Sequence, residues 1–156
     1  MNHSFYEVLK QFYEINKQGL FTYALSLTRN ASSAEDAVQS AMFGILKRTR
    51  LPRNLRPYVF RAVRNAAIDI KRKNTTQEGI FIEENGNVCN PFDSRMLNQC
   101  LEQLPDEQRE TIVMKAVIGL TFSEISRLQK ESINTVTSRY RRAIDKMRSL
   151  IGDSHD

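Results

Sequence analysis

The chain has 156 residues, 40% of them hydrophobic, and a formal charge of +5. That length admits one domain or two small ones, and small domains sit near the size at which a single core is only marginally stable. MNHSFYEVLKQ carries no apolar signal core and no run approaches a membrane span, so membrane insertion is not expected and the cytoplasm is the default location. Cys89 and Cys100 form no C-x-x-C pair, and His3 and His155 lie near the ends, so no metal site and no cofactor are expected. A nucleophile–base pair, a ligand-spaced carboxylate cluster and a glycine-rich phosphate loop are all missing, which argues against an enzyme.

Charge is distributed in blocks. Lys47 to Lys73 holds ten Lys or Arg against one acid, Asp69, and Arg127 to Arg148 holds seven against two. Between them, Asn74 to Ser94 has four acids and no base. Two basic blocks around an acidic connector fit a partner that offers phosphates at two places, although membrane surfaces and RNA attract basic blocks too.

Helical periods dominate, and no alternating strand is evident. Phe5 to Ile15 is an amphipathic segment with Phe5, Val8, Leu9, Phe12 and Ile15 on one side. Gly19 marks an expected break, after which Leu20 to Thr28 continues as an apolar helix. Ser32 and Glu35 have the spacing of a capping box. The helix Ala34–Lys47 has the cleanest period, with Ala34, Ala37, Val38, Ala41, Met42, Ile45 and Leu46 on its apolar stripe. Its other face carries Asp36, Gln39, Ser40 and Phe43; the aromatic is either an isolated exposed ring or part of a docking patch.

An arginine-rich loop then leads to Pro57, which suits the first turn of a helix over 57–73. That helix buries Val59, Val63, Ala66, Ala67 and Ile70 and shows a stripe of Arg61, Asn65, Asp69 and Arg72. The stripe reads either as a self-satisfied surface network or as a polynucleotide surface. From Asn74 to Phe92 the pattern dissolves into a linker, with one apolar patch at Ile80-Phe81-Ile82. Asp93 or Ser94 can cap a further helix through Leu101, and Pro105 starts another that Gly119 ends.

The last third reads as a helix-turn-helix. Thr121 and Glu124 form a capping box before a short helix with Phe122, Ile125 and Leu128 inward. Ser132 caps a second helix with Ile133, Val136, Tyr140, Ala143 and Met147 at helical spacing. Its opposite face carries Asn134, Thr135, Thr137, Ser138, Arg141 and Arg142. Short polar groups followed by arginines suit base edges and phosphates in a major groove; the alternative is a hairpin with a solvated basic face.

The order AEDAVQ, RPYVFRAVRNAAIDIKR, linker, LPDEQRETIVMK, GLTFSEIS and TVTSRYRRA resembles the extracytoplasmic-function (ECF) sigma factors of the sigma-70 family, over nearly the whole chain. The resemblance implies an all-α protein of two small helical domains: region 2 over 1–73, a flexible acidic linker over 74–93 and region 4 over 94–152. It implies no enzymatic activity, core RNA polymerase and promoter DNA as partners, and in many members an anti-sigma factor. Asp36 and Gln39 match positions presented to the polymerase, beside Phe43, with Ser40 where a glutamate is common. The loop with Arg48, Arg50, Arg53 and Arg56 corresponds to the one that captures a flipped base, where phosphate clamps and a pocket are needed. Asn65 and Asp69 match the N-x-x-x-D spacing of the −10 helix, with Arg61 and Arg72 on the same stripe. Tyr58 and Phe60 stand where a tryptophan is usual, so one of them is the expected duplex wedge. Asn134, Thr135, Thr137, Ser138, Arg139, Arg141 and Arg142 fall on the −35 recognition helix, with Thr137 replacing a common lysine.

The turn departs from the family. Gln129-Lys130-Glu131 replaces the usual Leu-Gly-Ile/Val, and a non-glycine residue in a left-handed turn costs roughly 1 kcal/mol. A less rigid or re-angled motif is expected. Two other classes compete with a promoter-specificity factor: a stand-alone helix-turn-helix regulator that dimerises through its N-terminal module, and a single-strand binding protein or nuclease using the Lys47–Lys73 block.

Overall fold

The computed structural model describes residues 3–78 and 95–153. Its order is α1 (His3–Thr28), α2 (Ala31–Leu46), α3 (Leu55–Glu78), α4 (Arg95–Glu102), α5 (Asp106–Ile112), a π-helical turn (Val113–Ile118), α6 (Phe122–Gln129) and α7 (Ile133–Asp153). The helices divide into two units, α1–α3 and α4–α7. No strand occurs among the described residues.

The first unit is a three-helix bundle. α2 presents Ala34, Ala37, Val38, Ala41 and Ile45 inward, as its period dictates. The three alanines in that stripe let α1 and α3 approach closely. The large groups come from the neighbours: Leu9, Leu20 and Tyr23 of α1, and Val59, Phe60 and Val63 of α3, all fully buried or nearly so. Tyr23 and Phe60 pack ring to ring with centroids 5.8 Å apart.

Several local expectations are corrected here. α1 runs unbroken through Gly19, because neither a positive φ nor a clash is imposed there and both flanks are held by packing. The true break is Arg29, whose φ of 57° turns the chain before α2. Asn30, not Ser32, caps α2: its side chain accepts from the Ser33 N–H at 2.8 Å. On α1, Val8 and Ile15 are exposed, Ile15 at 82%, while Thr22 and Tyr23 are buried in their stead. α3 extends to Glu78, five residues past Lys73, since nothing from Asn74 to Glu78 is a glycine or proline. The apolar patch 80–82, the acids Glu83, Glu84 and Asp93, Cys89 and the expected cap at Asp93 or Ser94 lie outside the described residues.

The second unit packs α4 and α5 against the length of α7. Cys100, Leu101, Leu104, Ile112, Ala143 and Met147 form its core, lined by Tyr140, Ile144, Leu150 and Ile151. Gly119 ends the π-helical turn with φ 83°, a left-handed conformation that glycine adopts without a Cβ penalty. The Leu120 N–H reaches back to the Met114 carbonyl at 2.9 Å.

Candidate functional site

The helix-turn-helix is built from local chemistry first. Thr121 and Glu124 close a reciprocal capping box, with the Thr121 N–H donating to Glu124 Oε1 at 2.9 Å and the Glu124 N–H to Thr121 Oγ1 at 3.0 Å. α6 turns Ile125 and Leu128 into the core, and Phe122 meets the Tyr140 ring edge-on at 5.5 Å. Lys130 then takes the left-handed conformation, φ 55° and ψ 45°, and the Glu131 N–H returns to the Ser126 carbonyl at 3.0 Å. α7 starts behind Ser132, whose hydroxyl accepts from the Thr135 N–H at 3.1 Å.

On α7, Val136, Ala143 and Met147 are buried, while Ile133 at the first turn is exposed. Asn134, Arg141 and Arg142 point to solvent, and Thr135, Thr137 and Ser138 are half-buried beside them. Two of these hydroxyls are already engaged: Thr135 contacts the Ser132 hydroxyl at 2.9 Å, and Thr137 donates to the Asn134 carbonyl at 3.0 Å. Arg139 departs from the expectation. Its side chain is only 16% exposed and is held by Gln129, Glu131 and Glu107 of the protein itself. These contacts tie the turn residues Gln129 and Glu131, and Glu107 of α5, to α7.

In the first unit, Asp36, Gln39, Ser40 and Phe43 lie together on the exposed side of α2, with Phe43 at 63% exposure. Beside them α1 and α2 enclose an open groove of about 210 Å³. Tyr6, Lys10 and Tyr13 of α1 line it opposite Gln39, Met42 and Phe43. Sequence reasoning missed the α1 side of this groove, although Tyr6, Lys10 and Tyr13 recur at four and three residues, one helix face.

Arg48, Arg50 and Arg53 are exposed in the loop between α2 and α3, and Arg56 is half-buried in the first turn of α3. Tyr58 is half-buried, with the Arg48 guanidinium over its ring. Phe60 lies fully inside the bundle, so it is removed as a duplex wedge and Tyr58 is the ring left at the start of α3. Arg61, Asn65 and Arg72 are exposed on α3. Asp69 is bonded forward along its own helix, to Arg72 at 2.7 Å and Lys73 at 3.3 Å. The Lys73 ammonium, by hydrogen bond and charge, and then Arg72 hold the Asp69 carboxyl below its ordinary range. Among the described residues no cluster of His, Cys, Asp or Glu has the arrangement of a metal site.

Comparison with known proteins identifies the family of the two units. Residues 12–77 match the family model Sigma-70 region 2, and residues 94–147 match Sigma-70, region 4, together most of the chain. The chain is 26% identical to the RNA polymerase sigma factor SigV of Bacillus subtilis over 85% of its own length and 84% of that protein. It is 29% identical to the RNA polymerase sigma factor CarQ of Myxococcus xanthus, over 81% and 79%. Among solved structures it matches the sigma factor RpoE of Bartonella quintana, seen with the anti-sigma factor NepR, at TM-score 0.76 and 24% identity over 92% of this chain and 96% of that one. It matches CnrH, in complex with the cytosolic domain of CnrY, at TM-score 0.68 and 20% identity over 94% and 89%.

The unqualified reading of a cytoplasmic protein is corrected by this last structure. A protein of this fold is seen attached to the cytosolic domain of a partner, so the lack of a signal core does not by itself fix where such a chain resides. What the chain shows is that no helix among the described residues is long and apolar enough to cross a membrane. With both family models in order and relatives matched along most of their length, the chain belongs to the sigma-70 family as an ECF sigma factor, a non-enzymatic protein that directs RNA polymerase to promoters.

Proposed function

We propose a division of this task among three surfaces. The α1–α2 face docks on core RNA polymerase through Asp36, Gln39, Ser40 and Phe43. The α2–α3 loop and α3 engage the −10 element through Arg48, Arg50, Arg53, Arg56, Tyr58, Arg61, Asn65, Asp69 and Arg72. α7 reads the −35 element of promoter DNA through Asn134, Thr135, Thr137 and Ser138, with Arg141 and Arg142 on phosphates. The working boundaries are residues 1–73, 74–93 and 94–152, with the first domain's last helix continuing to Glu78. An anti-sigma protein is a further partner, as the anti-sigma factor NepR is for RpoE.

The observation that carries this reading is Phe43. It is a large ring left in solvent on a helix whose other apolar side chains are buried or half-buried, beside an open groove with two tyrosines. A sizeable exposed apolar patch bordered by polar groups marks an interaction surface. The deciding experiment is run-off transcription with the purified chain, core polymerase and promoter fragments from the same genome. Discrete transcripts that need the chain are expected. Phe43→Ala is expected to weaken core binding about tenfold, as loss of a buried aromatic anchor does, with little change in stability because the ring is exposed in the free protein. Unaltered core affinity would move the docking surface elsewhere.

A further inference from the structure

Arg139 is out of place for a phosphate contact. Two carboxylates face its guanidinium, Glu131 at 3.2 Å and Glu107 at 3.5 Å, so little of its positive charge is left for a polyanion. Its second donor reaches Gln129 Oε1 at 3.2 Å. The Gln129 amide then donates to Thr111 Oγ1 at 3.3 Å, and that hydroxyl donates to the Glu107 carbonyl at 2.8 Å. Thr111 is completely buried. The chain of bonds therefore begins on α7, crosses the end of α6 and finishes inside α5. It is also the place where the turn closes, because Glu131 follows the left-handed Lys130. The residue after a left-handed cap usually makes an apolar contact with the helix it leaves. Here Glu131 pairs forward, with Arg139 of α7, and a planar guanidinium is the group able to serve several acceptors at once in fixed geometry.

We propose that Arg139 is a positioning residue: a polar latch that sets the angle of α7 against α6 and α5, and does not itself touch DNA. The promoter-binding part of the test rests on α7 being the −35 helix; the stability part does not. Glu131 separates the latch from a phosphate contact. Were Arg139 a phosphate ligand, Glu131→Ala would release it and remove a neighbouring negative charge, so promoter affinity would rise. A latch demands the opposite.

The test uses the full chain, both free and as holoenzyme with core polymerase on a promoter fragment recovered by run-off selection. Arg139→Ala and Glu131→Ala are each expected to lower the thermal midpoint by several degrees, about 5 °C for a small domain, and the double variant by less than their total. Both are expected to weaken promoter binding severalfold while leaving the log–log salt slope unchanged; Arg141→Ala, the control, reduces that slope by about 1. Higher affinity in Glu131→Ala, or a slope reduced by about 1 in Arg139→Ala, would overturn the latch. If Arg139→Ala does not fold, Arg139→Lys and Glu131→Ala answer the same question. If Arg141→Ala also leaves the slope unchanged, the −35 assignment of α7 fails, and the thermal coupling of Arg139 with Glu131 still decides the latch: additive losses reject it.

Discussion

The guanidinium carbon of Arg48 stands 5.6 Å from the centroid of the Tyr58 ring. The pair ties the loop that leaves α2 to the first turn of α3, across a segment that Pro52 and Pro57 already stiffen. A half-exposed cation–π contact is worth about 0.5–1 kcal/mol. Arg48→Ala is accordingly expected to lower promoter opening about two- to fivefold. Permanganate reactivity of unpaired thymines reads this directly, and no change would detach Tyr58 from the −10 function.

Arg50 and Arg53 extend into solvent from the same loop. Replacing both by Ala is expected to reduce open-complex formation while leaving core binding within about twofold, since surface substitutions of this kind disturb the fold by no more than about 0.5 kcal/mol. Equal loss of core binding and opening would contradict their role as single-strand clamps.

Phe60, two residues beyond Tyr58, answers to a different constraint. It is 1% exposed and packed on Tyr23. Phe60→Ala is expected to cost about 3–5 kcal/mol of stability, the usual range for a buried aromatic. Chemical denaturation measures this; a mild effect would mean that the ring is free to leave the bundle.

Gly19 offers the converse. A Cβ built there would meet the Phe60 Cζ at 3.8 Å, an ordinary contact, and the residue sits inside a regular helix. Gly19→Ala is expected to stabilise the first unit by about 0.5–1 kcal/mol, through the smaller entropy of the unfolded chain and a fuller contact with Phe60. A lower denaturation midpoint would show that the helix needs its glycine.

Asp69 sets a pH dependence. Its carboxyl is held below the ordinary range, first by Lys73 and then by Arg72. A depressed folded-state pKa means that its contribution is complete above the unfolded value of about 3.9 and is lost as pH falls through the folded one. NMR titration should therefore place Asp69 below an ordinary aspartate, and Lys73→Ala should move it upward. A titration that ignores Lys73 would remove the ion pair from the account.

What could be read along the chain depended on distance in sequence. The Thr121–Glu124 box, the left-handed Gly119 and the inward stripe of α2 each follow from residues a few positions apart, where backbone geometry alone brings the groups together. The order of motifs was legible for the same reason, and with it the two helical domains and their family. Local patterns also misled where two answers were locally equivalent. Ser32 and Asn30 both have capping side chains, and only the path out of Arg29 selects Asn30. Val8 and Ile15 lie at helical spacing with true core residues, yet α2 and α3 cover the other side of α1 and bury Tyr23.

The destinations of long side chains were beyond the sequence altogether. Phe60 reads as an available ring until Tyr23, thirty-seven residues earlier, is brought against it. Arg139 reads as a solvent-facing cation until Gln129, Glu131 and Glu107 are brought within its reach. A helical period states which way a Cα–Cβ bond points, but a flexible arginine goes where its charge and donors are best satisfied. The sequence determined that the chain is a succession of amphipathic helices in a recognisable order, because those patterns are local; only the packing of one helix on another decided which polar and aromatic groups stay at the surface, because that depends on residues far apart in the chain.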